Sequence, residues 1–298
     1  MKQSVNSVNI EGIVSEIILR EIDKTAEGGK KFVAGEVVVQ VADAEGKVNM
    51  IPVSFISADT KKDGTPNQNY ARLMQLKDYN SIASAGLDNA TKVQIRNANL
   101  TENLFFPPNG TDVISTMKIS SNFFTKINET NYTPDATFSV SAFILSMEDE
   151  VKNIEGVEEP TGRLVIQAAV VGYADKVEIF KFIAEKQSYI DFVRANWKVG
   201  DTVNIGGKVR FVEENVEVEQ EVGFGEAEVK KFTKRIKELI ITRGSAGPIS
   251  EEEAYSEADI KKGLLDRKQR MEEVKRKAQT ASSSAKSNTS TNKGGFDF

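Results

Sequence analysis

Neither histidine nor cysteine occurs among the 298 residues, so the chemistry open to this chain is that of carboxylates, lysine, tyrosine and aromatic faces. Thiol nucleophiles, disulfides, thiolate metal sites and imidazole acid–base work are excluded, and with them most zinc sites and every Ser-His-Asp or Cys-His arrangement. No Walker A loop, no GxGxxG and no carboxylate pair at metal-ligand spacing occurs. No enzyme activity, cofactor or metal is therefore expected.

What remains is a set of aromatics interleaved with cations. A groove that holds a single nucleic-acid strand needs rings for its bases and cations for its phosphates. In the first half the candidate rings are Phe55, Phe105, Phe106, Phe123 and Phe124. The candidate cations there are Arg20, Lys30, Lys31, Lys61, Lys62, Arg96, Lys118 and Lys126. Two adjacent aromatics cannot both point into a small core from one strand. Phe105-Phe106, ahead of Pro107-Pro108, and Phe123-Phe124 should therefore each expose a ring. In the second half Tyr173, Phe211 and Phe232 accompany Lys176, Lys208, Arg210, Lys231, Lys234 and Arg235. The run from Lys230 to Arg235 is the densest basic stretch with an aromatic inside it. An acidic stretch, Glu213 to Glu221, stands against it and reads either as a solvated strand or as a screen over the groove.

These residues must be positioned by β-elements. Strands are expected at Val8–Gly12 and Ile17–Arg20 with a bulge at Gly12, at Phe32–Ala42, and at Val48–Phe55, where Pro52 marks an edge or bulge. A helix is expected over Tyr70–Ala85, then strands at Lys92–Leu100 and Val113–Ile119. Five strands with a helix between the third and fourth is the order of an OB-fold barrel. The second half repeats it: strands at Thr137–Ser146, Arg163–Val171 and Lys176–Phe182, a helix at Ser188–Trp197, and strands at Asp201–Val212 and Lys230–Thr242. Val93-Gln94-Ile95 and Val203-Asn204-Ile205 occupy matching places. The repeat fits two copies of one barrel, or two unrelated small β domains. The fold class is thus mainly β, with OB-fold barrels over 1–133 and 134–248. A charged helix over 249–279 and a disordered tail over 280–298 complete the expectation.

The helix is capped by Ser250 and Glu253. It carries a thin apolar stripe, which either packs on the second barrel or a neighbouring subunit or leads, solvated, into the tail. The tail has almost nothing to bury until Phe296-Asp297-Phe298, where two rings and a carboxylate could anchor in a partner's pocket.

Two stretches carry a family resemblance. Trp197-Lys198-Val199-Gly200-Asp201-Thr202-Val203-Asn204-Ile205-Gly206-Gly207-Lys208-Val209-Arg210-Phe211 resembles a strand of single-stranded DNA-binding proteins, with Gly206-Gly207 bending it around a small barrel. The tail resembles their flexible linker and acidic, Phe-ending tip, although here the tip has a single Asp, no Pro and an extra Phe296. The resemblance implies a protein that coats and protects single-stranded DNA in replication or recombination, with little sequence preference. It also implies recruitment of replication or repair proteins through Phe296, Asp297 and Phe298. The alternative is a structural or scaffolding protein, phage-encoded in one version, whose barrels dock other proteins. The net charge of −5 excludes bulk-charge DNA binding but not a local basic groove. With no apolar run of spanning length and no signal peptide, a cytoplasmic setting is expected, the host's if phage-encoded.

Overall fold

The computed structural model describes residues 5–27, 29–42, 46–108, 110–154, 156–220 and 228–287, and side chains within them except at 27, 129, 154, 214–232, 234 and 281–287. Alternating apolar residues roll the first half into a closed ladder. Strand β1 (Asn6–Asp23) pairs with β2 (Lys31–Ala42), which pairs with β3 (Val48–Ala58). Strand β3 runs parallel to β5 (Ile114–Ser120), β5 pairs with β4 (Lys92–Phe105), and β4 returns to β1. The order β1-β2-β3-β5-β4-β1 is that of the OB-fold. A two-residue β6 (Thr125–Lys126) sits on β4.

The second half closes the same way. Strands β7 (Asp135–Ile154), β8 (Val157–Val171) and β9 (Val177–Ala184) are antiparallel neighbours. β9 runs parallel to β11 (Glu228–Gly244), β11 pairs with β10 (Thr202–Gln220), and β10 returns to β7. The barrels share one 11-stranded sheet, because β1 also pairs with β7 from Asn6–Val140 to Glu11–Asp135. Their cores are continuous, from Val8, Val37, Val53 and Ile95 in the first barrel to Phe138, Ile166, Phe182 and Val209 in the second.

Several expectations change. β1 is unbroken, and its irregularity lies between Val14 and Glu16 rather than at Gly12. Gly12 answers a different need, since a Cβ there would stand 2.5 Å from the Gln40 carbonyl oxygen of β2. The helix expected over Tyr70–Ala85 is divided into α1 (Gln68–Met74), a 3-10 turn at Gln75–Asp78, and α2 (Ile82–Ala85). Leu73 and Leu76 still plug the barrel, and Ser81 and Ser84 restart the helix with a reciprocal capping box. The second barrel is plugged from α3 (Gln187–Asn196) by Ile190 and Val193, with Trp197 just beyond.

The last helix, α4 (Glu257–Ser287), begins later than the Ser250 cap suggests. Tyr255 causes the delay: its ring is buried on the second barrel and its N–H donates to Thr202 Oγ1 at 3.0 Å. Ile260 and Leu264 then pack with Tyr255 on Phe143, Ala169, Val171 and Val177, so the thin stripe docks on the second barrel. The helix continues through Thr280 to Ser287, where a disordered tail was expected. Phe296, Asp297 and Phe298 lie outside the described residues.

Candidate nucleic-acid interface

A shallow groove of about 470 Å³ runs over the outer face of the first barrel, across β2, β3, β5 and β4. Ala34, Ser54, Ile56, Lys118, Ser120, Asn97, Asn99, Asn122 and Phe123 are among the residues that line it. Ile56 is 61% exposed and Phe123 52%. Large apolar groups at that exposure are candidates for contact with a ligand. Arg20 stands opposite Ala34 in the β1–β2 ladder, at the groove's edge.

Local hydrogen bonds fix Phe123 in place. After β5, the Ser121 N–H donates to the Ser54 carbonyl at 3.0 Å, and the Phe123 N–H donates to Ser121 Oγ at 3.1 Å. The Asn122 side-chain oxygen accepts the Ile56 N–H at 3.2 Å. The next ring, Phe124, turns inward and meets Phe55 edge-on at 5.9 Å between centroids, while the Tyr79 hydroxyl donates to its carbonyl. One ring of the pair faces solvent and the other the core.

The β4 side of the groove is shaped by a bulge. Val8 faces Ala98 and Ile10 faces Ile95, so β4 takes three steps where β1 takes two. The buried set shifts phase accordingly, from Val93 and Ile95 to Ala98 and Leu100. Asn97 sits at the shift with φ 54°. In consequence Arg96, Asn97 and Asn99 are all exposed.

The matching positions of the second barrel differ in kind. Register places Arg163 where the first barrel has Ala34, Glu185 at Ile56, Glu238 at Lys118, and Lys208 at Asn99. Arg163 bonds Glu238 at 2.7 Å and lies 3.4 Å from Glu150. Arg210 bonds Glu185 at 2.9 Å and Glu238 at 3.2 Å. The hydrogen bond from Arg210 holds the Glu185 carboxyl below the usual glutamate range, and the same bond raises Arg210. This face is a closed ionic network, whereas Arg20 and Lys118 have no acidic partner among the described residues.

The sequence candidates therefore sort unevenly. Phe55 and Phe211 are 4% and 3% exposed and belong to the core; neither can offer a ring face to a base. Phe124 is half-buried against Phe55, and Phe106 is half-buried. Phe105 is exposed at the far end of β4, opposite Ile114. Lys30 Nζ donates to the carbonyls of Thr60 and Lys61, securing a loop. Lys31 lies 3.5 Å from Asp23. Lys61 and Lys62 are exposed in that loop, and Arg96 is exposed with its Nε on Gln94.

In the second half, Lys208 pairs with Asp135 and Arg210 with the network above. Arg235 pairs with Glu213 at 2.7 Å. The acidic stretch is a strand laid against the basic one: Glu213, Glu214 and Glu217 stand opposite Arg235, Lys234 and Lys231 in the ladder. The side chains of Lys231, Phe232 and Lys234 are outside those described. Tyr173 is 85% exposed beside exposed Lys176 on the β8–β9 turn, and neither lines the groove. Of the groove residues, Lys118 is among the cations the sequence singles out, whereas Ile56, Asn97, Asn99 and Asn122 are not singled out. The phase shift in Val93-Gln94-Ile95-Arg96-Asn97-Ala98-Asn99-Leu100 was the available signal for the two β4 asparagines.

Two barrels closed in the order 1-2-3-5-4-1 define a tandem OB-fold protein. The chain belongs to the YorF family, whose profile matches residues 4–277. No curated protein matches the sequence. Similar solved structures include the wild-type single-stranded DNA binding protein from Thermus aquaticus, at 11% identity over 83% of this chain and 95% of that one, with a TM-score of 0.46. A deletion variant of the same protein is similar at 10% identity over 84% and 98%, with a TM-score of 0.47. At those scores the fold assignment rests on the strand order, not on the likeness.

Proposed function

We propose that this protein binds single-stranded DNA, and that the outer face of the first barrel is where the strand lies. The observation that carries the reading is the contrast between matched faces. On the matching face of the second barrel Arg163, Arg210, Glu185 and Glu238 satisfy one another, and part of that barrel's outer surface is given to α4. The first leaves Phe123, Ile56, Arg20 and Lys118 open. An exposed ring, an exposed aliphatic side chain and unpaired cations on one groove suit a single nucleic-acid strand. The resemblance of residues 197–211 to single-stranded DNA-binding proteins points the same way. Strand protection in replication or recombination would follow from occupancy.

An electrophoretic shift with oligo-dT and a duplex of equal length tests the proposal. Binding to oligo-dT with much weaker binding to duplex is expected. Equal affinity for both, or no shift at low salt, sinks it and leaves protein docking as the use of the barrels. Recruitment of replication or repair proteins through Phe296-Asp297-Phe298 is part of the same proposal. Deleting those three residues should abolish pull-down of such partners while strand affinity stays the same or rises slightly.

A further inference from the structure

The groove floor is lined by amides more than by charges. Asn99 makes no side-chain hydrogen bond among the described residues. Asn97 accepts the Ser7 hydroxyl on its side-chain oxygen at 3.1 Å, and its backbone N–H donates to Asn9 Oδ1. Asn122 uses its side-chain oxygen for the Ile56 N–H. With those oxygens engaged, Asn97 and Asn122 have their NH2 groups left to donate, and Asn99, whose amide is unbonded among the described residues, can turn its own NH2 toward a ligand. The bulge and the left-handed backbone at Asn97 bring the two β4 amides onto the outer face together. Bulges beside functional sites commonly re-aim side chains in this way.

Resting on the reading of this face as a strand site, we propose that Asn97, Asn99 and Asn122 form a neutral, donor-rich floor that holds bases by their carbonyl oxygens. Thymine offers oxygen acceptors at O2 and O4, whereas cytosine places an NH2 donor where thymine has O4. A donor floor therefore discriminates between the two pyrimidines without the self-stacking that complicates purine strands. Arg20 and Lys118 flank the floor as cations with no acidic partner among the described residues, so few phosphates are neutralised.

Fluorescence anisotropy with the full chain tests this on oligo-dT, oligo-dC and an abasic strand of equal length. We expect oligo-dT to bind about tenfold more tightly than oligo-dC, and the abasic strand to bind weakest. Two phosphates at a slope of roughly 0.7 each imply only about a sevenfold loss of affinity between 50 and 200 mM salt. Asn99→Ala should bring the dT:dC ratio below about threefold while the salt slope and melting temperature stay unchanged. Equal binding of oligo-dT and oligo-dC, a ratio untouched by Asn99→Ala, or a loss of about a thousandfold across that salt range would each overturn the donor floor and leave strand binding standing. Failure to bind all three strands at 50 mM salt would instead overturn the functional reading beneath it.

Discussion

Phe123 and Phe124 are neighbours with opposite tasks, and substitution should separate them from Phe55. Phe123→Ala removes an exposed ring and no core contact. It should cost about 1–3 kcal/mol of strand binding with little change in melting temperature. Phe55→Ala opens a cavity beneath Phe124 and should cost about 3–5 kcal/mol of stability; titration and thermal melts of both variants check the pair. An exposed ring at Phe123-Phe124 is legible in the sequence because strand alternation forces one side chain of two outward. The same alternation, which sets Lys208 and Arg210 opposite Val209, puts Phe211 inside with Val209, so its burial was legible too. What the sequence could not show was that Arg210 spends its charge on Glu185 and Glu238, residues far from it along the chain.

Glu178 gives a second test at this scale. Burial pushes its carboxyl above the usual glutamate range, and the nearby Glu102 charge adds to that, while Arg270 and Lys176 oppose it. A carboxyl with a raised folded pKa holds its proton more tightly in the folded state. Stability is therefore lost as pH rises from the ordinary carboxylate range through the raised value. Glu178→Gln should melt above the wild type at neutral pH, and the gap should close as pH falls toward 4. A gap that widens on acidification would refute the assignment.

Among the elements, the strands follow from alternation, but their irregularities follow from close approach. Gly206-Gly207 reads as a bend, and the β10–β11 register does shift there. The tolerance is small, because a Cβ on Gly207 would stand 1.8 Å from the Ile240 carbonyl oxygen. Gly207→Ala must displace β11 and should destabilise by several kcal/mol, of the order seen for overpacked cores, as urea unfolding would show. The start of α4 is not legible in the sequence because the Ser250–Glu253 signature is local, whereas the bond from the Tyr255 N–H to Thr202 is tertiary. Once started, α4 reaches back to the first barrel, where Arg267 makes a bidentate contact with Glu102. The Glu102 side chain is only 2% exposed. Arg267→Ala leaves that carboxylate with the Ser115 hydroxyl and no cation and should cost about 3–5 kcal/mol, whereas replacing both Arg267 and Glu102 with apolar residues of similar volume should recover most of the loss.

At the scale of the whole molecule, ties between the barrels among the described residues include a shared ladder, a cross-barrel hydrogen bond and a helix that touches both. β1 pairs with β7 over Asn6 to Glu11, overlapping the Val8 to Ile13 stretch through which it closes on β4. The Phe211 N–H of the second barrel donates to Asn49 of the first at 3.1 Å. The helix is α4, whose apolar stripe grips the second barrel while Arg267 and Lys275 reach Glu102 and Asp112 of the first. Opening either barrel therefore exposes core shared with the other and leaves the buried Glu102 carboxylate without Arg267. Calorimetry of the full chain should show one cooperative transition, with the calorimetric and van't Hoff enthalpies in agreement. The first barrel expressed alone as residues 1–133 would lose the β7 ladder, the bond from Phe211 and Arg267 together, and should melt well below the intact chain. Two resolved transitions in the full chain, or a fragment as stable as the whole, would mean that the barrels fold as separate units. The second barrel would then lose its role as a clamp that holds the groove-bearing barrel in shape.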